Sequence, residues 1–380
     1  MSRTEDILVI GAAHLDIVGD YGAHVADSLD KPGDLVYSVG GTAYNISSNL
    51  AQNNTPVSFL TALKEDSLIT PIILRRLTSY GINTDLVEIS DSIDESGFIA
   101  LREDGVLVSA VTATTMDKFV FSEILYGDAL KKCRFVVMDC NLSSSAINLI
   151  QNIAGNYGKK IIVAGVSESK VKRIMQIDRR ESVPYPFFIV SMNFMEAKAL
   201  GIDLSRKIAA KRVVDFCDRI GSENIIVSAG KDGHHILKRS GAVESFAAPN
   251  VASIVSITGC GDALTSAVCH HYYHTRDINW EECNRVIGRF VSQVIGRKGA
   301  TVGARTAPKE LKVVPMDVFE KEQSLYQEKV ISFLGSRTVN LFGARVPLSE
   351  VFAFIAFLVA IGATLLPVLP ELGLSLSPDG

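Results

Sequence analysis

The sequence has 380 residues, of which 47% are hydrophobic and 21% are charged, so it can build a large core and is not globally disordered. Its 38 Lys and Arg against 42 Asp and Glu give a net charge of −4, and no basic run indicates a nucleic-acid partner. Six cysteines lie apart without a CxxC pair, which predicts reduced thiols in a cytosolic protein and not a disulfide framework.

The chain begins with a predicted buried strand. Residues 7–10 form an apolar β-branched run that ends in a glycine, which is typical of a strand inside a sheet and not of a signal peptide. Glycines at positions 40 and 41 lead into a predicted helix at 45–52. A strand at 57–60 and a helix at 68–80, which ends before a glycine, are predicted next.

Residues 97–111 have a different pattern. Two β-rich runs, 97–101 and 106–111, flank a turn that contains Asp104-Gly105, which predicts a β-hairpin. The hairpin does not fit the alternation of strands and helices elsewhere in the chain. We therefore interpret about 12–45 and 95–115 together as a small β lid on the main domain.

From residue 120 onwards, predicted strands and helices alternate. Such βα units predict a mostly parallel sheet with helices on both faces and a binding site at the carboxyl ends of the strands. We expect one main domain over residues 1–310. The predicted strands are 135–139, 160–163, 187–191 and 224–228, and the predicted helices are 143–154, 197–200, 207–220 and 262–273.

The C-terminal part of the chain is strongly apolar. Residues 351–369 carry no charge, and these 19 residues would span about 28 Å as a helix. Two interpretations stay open for the segment 346–380: a membrane anchor, or an apolar helix packed on protein. If it is an anchor, Arg337 and Arg345 before it predict that the main domain lies in the cytoplasm. A helical linker is predicted for 311–345.

The strongest local signal is the turn Thr258-Gly259-Cys260-Gly261-Asp262 before a predicted helix. Backbone N–H groups of such a turn form an anion hole at the helix N-terminus, and glycines let a phosphate approach closely. Asp262 would then be a carboxylate placed to take a proton from a hydroxyl. The alternative is a turn that only caps the helix.

Asn193 and Glu196 follow the predicted strand 187–191 and share one helical turn. An amide and a carboxylate suit Mg²⁺, which keeps most of its waters and needs few protein ligands. An N-cap followed by a surface glutamate is the commoner explanation for this spacing.

Glycine and polar residues follow other predicted strands, where they suit a nucleotide and a sugar. The GxxxxGK[ST] motif of P-loop enzymes does not occur in the sequence, which excludes that class. The candidates are Ser228, Gly230 and Gly233 for the phosphates of a nucleotide, and Asp16, Gly40, Gly41 and Asn45 for sugar hydroxyls.

The order and spacing of these pieces resemble the ribokinase-like (PfkB) family of carbohydrate and nucleoside kinases, over roughly residues 6–305. The resemblance implies a ribokinase-like α/β three-layer sandwich with a mostly parallel central sheet and a small β lid. It also implies the roles of the candidate residues: Asp262 as catalytic base, Gly259, Cys260 and Gly261 as anion hole, Asn193 and Glu196 for Mg²⁺, Ser228, Gly230 and Gly233 for ATP, and Asp16, Gly40, Gly41 and Asn45 for the sugar.

Within this family the sequence resembles the pseudouridine kinases in particular. The similar stretches are 16–19, 31–33 and 137–143, and the last implies that Asn141 reaches the uracil ring or the sugar. The implied activity is ATP-dependent phosphorylation of a ribosyl 5′-hydroxyl, with pseudouridine first and ribose, another nucleoside or a hexose derivative as alternatives. K⁺ is a candidate second cofactor, and a homodimer is a candidate assembly.

Several positions depart from the family pattern. Cys260 replaces the usual alanine of the turn, His14 stands where asparagine is common, and Gly165 follows Ala164 where Asp-Pro is usual. These changes keep the residues for phosphoryl transfer and alter the substrate side. A membrane-tethered binding protein without turnover is therefore the alternative to an active kinase.

Overall fold

The computed structural model describes residues 6–23, 30–104, 106–178, 186–205, 208–251, 253–254 and 257–296, and two short strands within 338–347. The chain divides into two compact units, residues 1–305 and 306–380. The predicted apolar segment 351–369 lies outside the described residues.

In the described part of the first unit, strands and helices follow each other much as the alternating pattern predicts. The strands are β1 (Ile7–Ile10), β2 (His14–Tyr21), β3 (Gly33–Gly40), β4 (Val57–Leu60), β5 (Ala62–Lys64), β6 (Glu88–Ser90), β7 (Gly97–Glu103), β8 (Val106–Ala113), β9 (Val136–Asp139), β10 (Ile161–Ala164), β11 (Phe187–Asn193), β12 (Ser222–Ser228), β13 (His234–Lys238) and β14 (Val243–Phe246). The helices are α1 (Thr42–Gln52), α2 (Ile69–Ser79), α3 (Glu123–Lys132), α4 (Ser144–Asn156), α5 (Phe194–Ala199), α6 (Ala210–Ile220), α7 (Cys260–Thr275) and α8 (Trp280–Ile295).

The central sheet has the order β14-β13-β12-β11-β10-β9-β1-β4. The neighbouring strands β12, β11, β10, β9, β1 and β4 pair in parallel. The strands β13 and β14 add an antiparallel edge beside β12. Successive side chains of a strand point to opposite faces, so an apolar run such as β1 fills two cores. The predicted mostly parallel sheet is confirmed.

Helices cover both faces of this sheet. Leu8 and Ile10 of β1 pack in one buried cluster, with apolar residues of α3, α4 and α6. Ile7 and Val9 pack in the other, with residues of α1, α2, α7 and α8. The result is the predicted three-layer sandwich.

A separate four-stranded sheet has the order β3-β2-β7-β8 and forms the predicted lid. The hairpin of β7 and β8 turns at Asp104, whose φ of 47° is left-handed. β2 pairs antiparallel with β3 and in parallel with β7, which places Asp16 between Ser38 and Phe98. The strands β2 and β3 were not predicted individually, although their residues were assigned to the lid.

In the second unit, the described residues form β15 (Thr338–Leu341) and β16 (Ala344–Pro347), which pair antiparallel. The described residues of the predicted helical linker, 338–341 and 344–345, are therefore strands and not helix. An adjacent strand partner satisfies their backbone groups, which the apolar pattern alone does not reveal. Across the described residues, the helices are too short or too polar to cross a membrane.

Candidate active site

The candidate residues collect at one edge of the central sheet, where its parallel strands end. Ala164 at the end of β10 pairs with Asp139 of β9, and Asn193 at the end of β11 pairs with Ser228 of β12. Carboxyl ends of parallel strands share one edge of the sheet, so the predicted metal and nucleotide residues are neighbours.

Asp262 lies in the first turn of α7, which begins after Gly259 at a φ of 83°. Helices α3, α4, α5 and α8 begin with a serine or asparagine whose side chain accepts a backbone N–H, whereas Gly259 has no side chain to do so. A Cβ at Gly261 would meet open space. The Cys260 N–H, however, donates to the Ile257 carbonyl at 3.3 Å, so the N–H groups of Gly261 and Asp262 are the ones that an anion could meet at this helix start.

Asp262 contacts a residue from the predicted sugar side. The Nδ2 group of Asn45 in α1 donates to Asp262 Oδ2 at 2.7 Å, although the two residues are 217 positions apart in the sequence. Asn45 Oδ1 is buried without a hydrogen-bond partner among the described residues. The fold thus joins the predicted base to a candidate acceptor-binding residue.

Burial raises the pKa of Asp262 to about 7, and the hydrogen bond from Asn45 works against this rise. The carboxylates of Asp139, Glu196 and Asp16 add to the increase. A carboxyl group with such a pKa is a proton acceptor suited to neutral pH, because it ionises there and binds the proton well. Burial also raises the pKa of the Cys260 thiol, to about 11, so this neighbour is neutral.

Asp16 lies on β2 with His14 on the same face of the lid. His14 Nε2 is 3.0 Å from Asp16 Oδ1, but the geometry does not make a hydrogen bond, and that oxygen and His14 Nδ1 are buried without a partner in the described chain. A Cβ at Gly40 would collide with the Asp16 carboxylate, and one at Gly41 with the Ala12 carbonyl oxygen. Glycines therefore let the chain pack tightly here, and polar atoms are left for a ligand.

Asn193 and Glu196 form a capping box at the start of α5. Asn193 Oδ1 accepts from the Glu196 N–H at 2.9 Å, and Glu196 Oε2 accepts from the Asn193 N–H at 2.9 Å. The capping interpretation thus holds, but Glu196 is 3% exposed and is not a surface residue. Gly165 leaves room for this carboxylate, because a Cβ there would collide with Oε2.

The Asn193 amide and the Glu196 carboxylate supply oxygens of the kind that Mg²⁺ accepts as ligands. Burial raises the pKa of Glu196, and a nearby cation would favour its ionised form. Among the described residues, no group of three or more His, Cys, Asp or Glu would hold a metal by itself.

The nucleotide candidates form a tight loop after β12. The Ala229 N–H donates to the Gly233 carbonyl at 2.8 Å and closes the loop. Gly230 and Gly233 have φ values of 60° and 88°, and a Cβ at Gly233 would collide with the Phe246 carbonyl oxygen. This loop requires Gly233 and lies beside Asn193.

Asn141 uses its side chain within the protein. Its Nδ2 donates to Asp139 Oδ2 at 3.0 Å, and its Oδ1 accepts from Lys170 Nζ at 2.7 Å. The residue is 3% exposed. Lys170 is half-buried, and burial lowers its pKa. Its ammonium group lies next to Asn141 and could contact a ligand bound there. Lys170 was not predicted as a site residue from the sequence.

Asp139 was not predicted as a site residue either, although it lies within the stretch 137–143. The residue is fully buried at the end of β9 and accepts from the backbone N–H groups of Ala12 and Ala43. The signal in the sequence was an aspartate at the end of an apolar run. Such a residue ends a buried strand, and a carboxylate buried there needs several hydrogen-bond donors.

The sequence profile of the pfkB family carbohydrate kinases matches residues 4–307. The chain belongs to this family. Its fold is accordingly ribokinase-like, and it is a phosphotransferase that acts on an alcohol group.

Individual relatives agree with this assignment. Pseudouridine kinase of Escherichia coli (strain K12) is 26% identical over 272 residues, which cover 70% of this chain and 84% of that protein. Guanosine-inosine kinase of Exiguobacterium acetylicum is 25% identical over 296 residues, covering 76% and 94%. The structure of Arabidopsis thaliana ribokinase complexed with ribose and ATP matches with a TM-score of 0.66 and 18% identity, over 78% of this chain and 94% of that chain.

Proposed function

We propose that this kinase transfers the γ-phosphoryl group of ATP to the 5′-hydroxyl of a ribosyl compound, with pseudouridine as the first candidate. The observation that carries the proposal is the Asp262 carboxylate, which lies at the open start of α7 and contacts Asn45. One carboxylate thus meets both the anion-binding amides and the candidate acceptor site.

In the proposed reaction, the acceptor hydroxyl oxygen attacks the γ-phosphorus and ADP leaves. Asp262 takes the hydroxyl proton, while backbone amides at the start of α7 balance the charge that develops on the transferred group. Asp16 Oδ1 and Asn45 Oδ1, which make no hydrogen bond with the described residues, orient the acceptor by accepting hydrogen bonds from its hydroxyls.

Asn193 and Glu196 would hold Mg²⁺ through water. When bound, this ion supplies charge neutralisation to the phosphates of ATP. Ser228, Gly230 and Gly233 would contact those phosphates from the neighbouring strand. K⁺ is a further candidate cofactor, and omission of K⁺ from an otherwise complete assay tests it.

Two observations support a nucleoside acceptor over free ribose, with pseudouridine as the first candidate. A pseudouridine kinase is among the relatives that match over most of their length. In addition, Lys170 donates one ammonium hydrogen to Asn141, which leaves two for the carbonyl oxygens of a pyrimidine ring. Ribose has no such ring. Removal of the Lys170 charge would therefore weaken the binding of a nucleoside and leave the binding of ribose unchanged.

The decisive experiment incubates the purified full chain with Mg-ATP and pseudouridine, ribose, other nucleosides and hexoses, and measures ADP release and phosphorylated product. We expect one acceptor class to stimulate turnover, and Asp262→Asn to lower kcat by about 10²- to 10⁴-fold. Asp128→Asn is the matched control, because this aspartate is exposed on α3 and pairs with Lys132.

No stimulation by any acceptor, with ligand binding that Asp262→Ala leaves unchanged, would instead favour the non-catalytic binding protein. The membrane anchor at 351–369 stays a prediction, and detergent-free fractionation of the chain with and without 346–380 tests it. A fully soluble intact chain would contradict the anchor.

We also infer that two copies associate through the outer face of the lid. Tyr37, Ile17, Ile99 and Val111 oppose one another across its four strands, on the face away from Asp16. Tyr37, Ile99 and Val111 are 71%, 54% and 70% exposed. This row carries no charge, so it is complementary to the same row of a second copy, because burial of its apolar side chains is favourable and no like charges meet within it.

A further inference from the structure

We propose that Asp139 is a positioning residue that fixes the acceptor side of the site against the catalytic base. The inference rests on the proposed function, because it assigns a role in the same reaction. It is carried by the hydrogen bonds of a buried carboxylate that touches neither the candidate phosphate loop nor Asp262.

Asp139 is fully buried and accepts four hydrogen bonds. Its donors are the N–H groups of Ala12 at 3.1 Å, Ala43 at 3.0 Å and Asn141 at 2.9 Å, and the Asn141 Nδ2 group at 3.0 Å. Burial raises the pKa of Asp139, and these four donors work against the rise. Because every partner donates, the ionised carboxylate satisfies the arrangement best.

These bonds join three segments that carry the acceptor site. Ala12 lies two residues before His14, the first residue of β2, and Ala43 lies two residues before Asn45 in α1. Asn141 follows β9 and holds Lys170. One carboxylate therefore sets the relative position of the lid strand that carries Asp16 and the helix that carries Asn45.

The neighbouring backbone is shaped around this side chain. A Cβ at Gly11 would lie 2.5 Å from Asp139 Cγ, so only glycine leaves the carboxylate its place. Helix α1 begins directly after Gly41, which has no side chain to cap it. The Asp139 carboxylate, at the end of β9, accepts from the Ala43 N–H in place of a capping side chain. A helix N-terminus favours such an acidic group.

The two helices of the site that follow a glycine, α1 and α7, differ in what lies at their N-termini. The start of α1 is occupied by the protein's own carboxylate, and the start of α7 has no capping side chain. An incoming phosphate can therefore meet backbone N–H groups at the start of α7, whereas Asp139 already occupies the start of α1.

Asp139 also affects the base through charge. Around Asp262 lie Asn45 from α1, Asp139 from β9, Glu196 from α5, Asp16 from β2 and Cys260 of its own turn. The Asp139 carboxylate contributes to the raised pKa of Asp262, so its removal lowers that pKa. This electrostatic effect distinguishes a role in positioning from a role in stability alone.

The test compares the full-length wild type with Asp139→Asn in steady-state kinetics with Mg-ATP and the acceptor found above. The substituted amide would retain the shape of the side chain, but its nitrogen donates and does not accept, so not all four bonds could form. We expect the acceptor KM to rise about 10- to 100-fold, with the KM for ATP within about twofold of wild type. The acid limb of kcat/KM should shift to lower pH.

Asp6→Asn is the matched control. Asp6 is a buried aspartate next to the opposite end of β1, and its carboxylate accepts from Ser58. This variant should lose thermal stability but keep the acceptor KM and the pH profile. If Asp139→Asn does not fold, Gly11→Ala displaces the same carboxylate and should raise the acceptor KM in the same way.

Unchanged acceptor KM and pH profile in a folded Asp139→Asn variant would overturn the positioning role and leave the proposed function intact. An equal rise in the KM for ATP would also overturn it, as a sign of general damage. A wild-type protein that phosphorylates no acceptor would instead contradict the proposed function, on which the role depends.

Discussion

At the scale of single residues, the site is defined by carboxylates in unlike surroundings. Asp139 is surrounded by donors, Glu196 is tied into a capping box, and Asp262 has one donor and three acidic neighbours. Asp262, with a pKa of about 7, can therefore both release and bind a proton near neutral pH. Different environments give chemically identical groups different tasks.

The pKa of Asp262 predicts the pH dependence of the reaction. Below pH about 7 its carboxyl group is protonated and cannot take the hydroxyl proton, so kcat/KM for the acceptor should rise tenfold per pH unit towards pH 7 and then level off. The measurement is kcat/KM between pH 5 and 9 at constant ionic strength. An acid limb near pH 4 would contradict the raised pKa.

The raised pKa of Asp262 also predicts that ionisation of this group lowers the stability of the folded protein. The folded protein binds a proton at Asp262 more tightly than the unfolded chain, so this group stabilises the fold below pH about 4, and that contribution is lost as pH rises through about 7. Asp262→Asn should therefore raise the melting temperature at pH 8 and change it little at pH 4. The gain is at most about 4 kcal/mol.

Thermal melts at pH 4, 6 and 8 measure this difference between wild type and Asp262→Asn. The exposed Asp128→Asn variant should show no such dependence on pH. A gain that is equal at all three pH values would indicate that burial does not penalise the Asp262 charge.

At the scale of elements, glycine positions decide how loops approach a ligand. Gly233 has a φ of 88°, and a Cβ there would collide with Phe246. Gly233→Ala should therefore shift the loop after β12 and raise the KM for ATP about tenfold or more, with little effect on the acceptor KM. Steady-state kinetics with each substrate varied in turn measures both constants.

Gly81→Ala is the matched control for backbone strain. Gly81 has a φ of 72°, but a Cβ there would meet nothing within 4 Å. The substitution should cost about 1 kcal/mol of stability and leave both KM values unchanged. Equal kinetic effects of the two substitutions would mean that backbone strain, and not the collision, affects the site.

Elements with a local signal were predicted closely, and others were missed for physical reasons. The strand β4 and the helix α2 match the predicted 57–60 and 68–80 within one residue. β2 and β3 carry glycine and acidic residues and were not predicted as strands, because their pairing with each other and with β7 stabilises them. α8 was missed although Asn279 caps its first turn, a signal that the sequence contains.

At the scale of the whole molecule, the outer face of the lid predicts self-association. Ile99→Glu places a charge in the row of Tyr37, Ile17 and Val111, so a dimer that buries this row should dissociate. Light scattering after size exclusion would then give the mass of one chain, against twice that mass for wild type. Ile124→Glu, at an equally apolar but separate exposed position on α3, should leave the mass unchanged.

The sequence by itself determined the alternation of strands and helices, the glycine turn before α7 and the family to which these belong. Those features depend on periodicity and on residues a few positions apart, and they are visible in one segment at a time. Only the tertiary structure decided that Asn45 meets Asp262, that Asn141 is engaged by Asp139 and Lys170, and that Glu196 is buried. The contact of Asn45 with Asp262 joins residues 217 positions apart, and the contacts of Asn141 and Glu196 depend on how the strand ends pack, which no single segment of the sequence reveals.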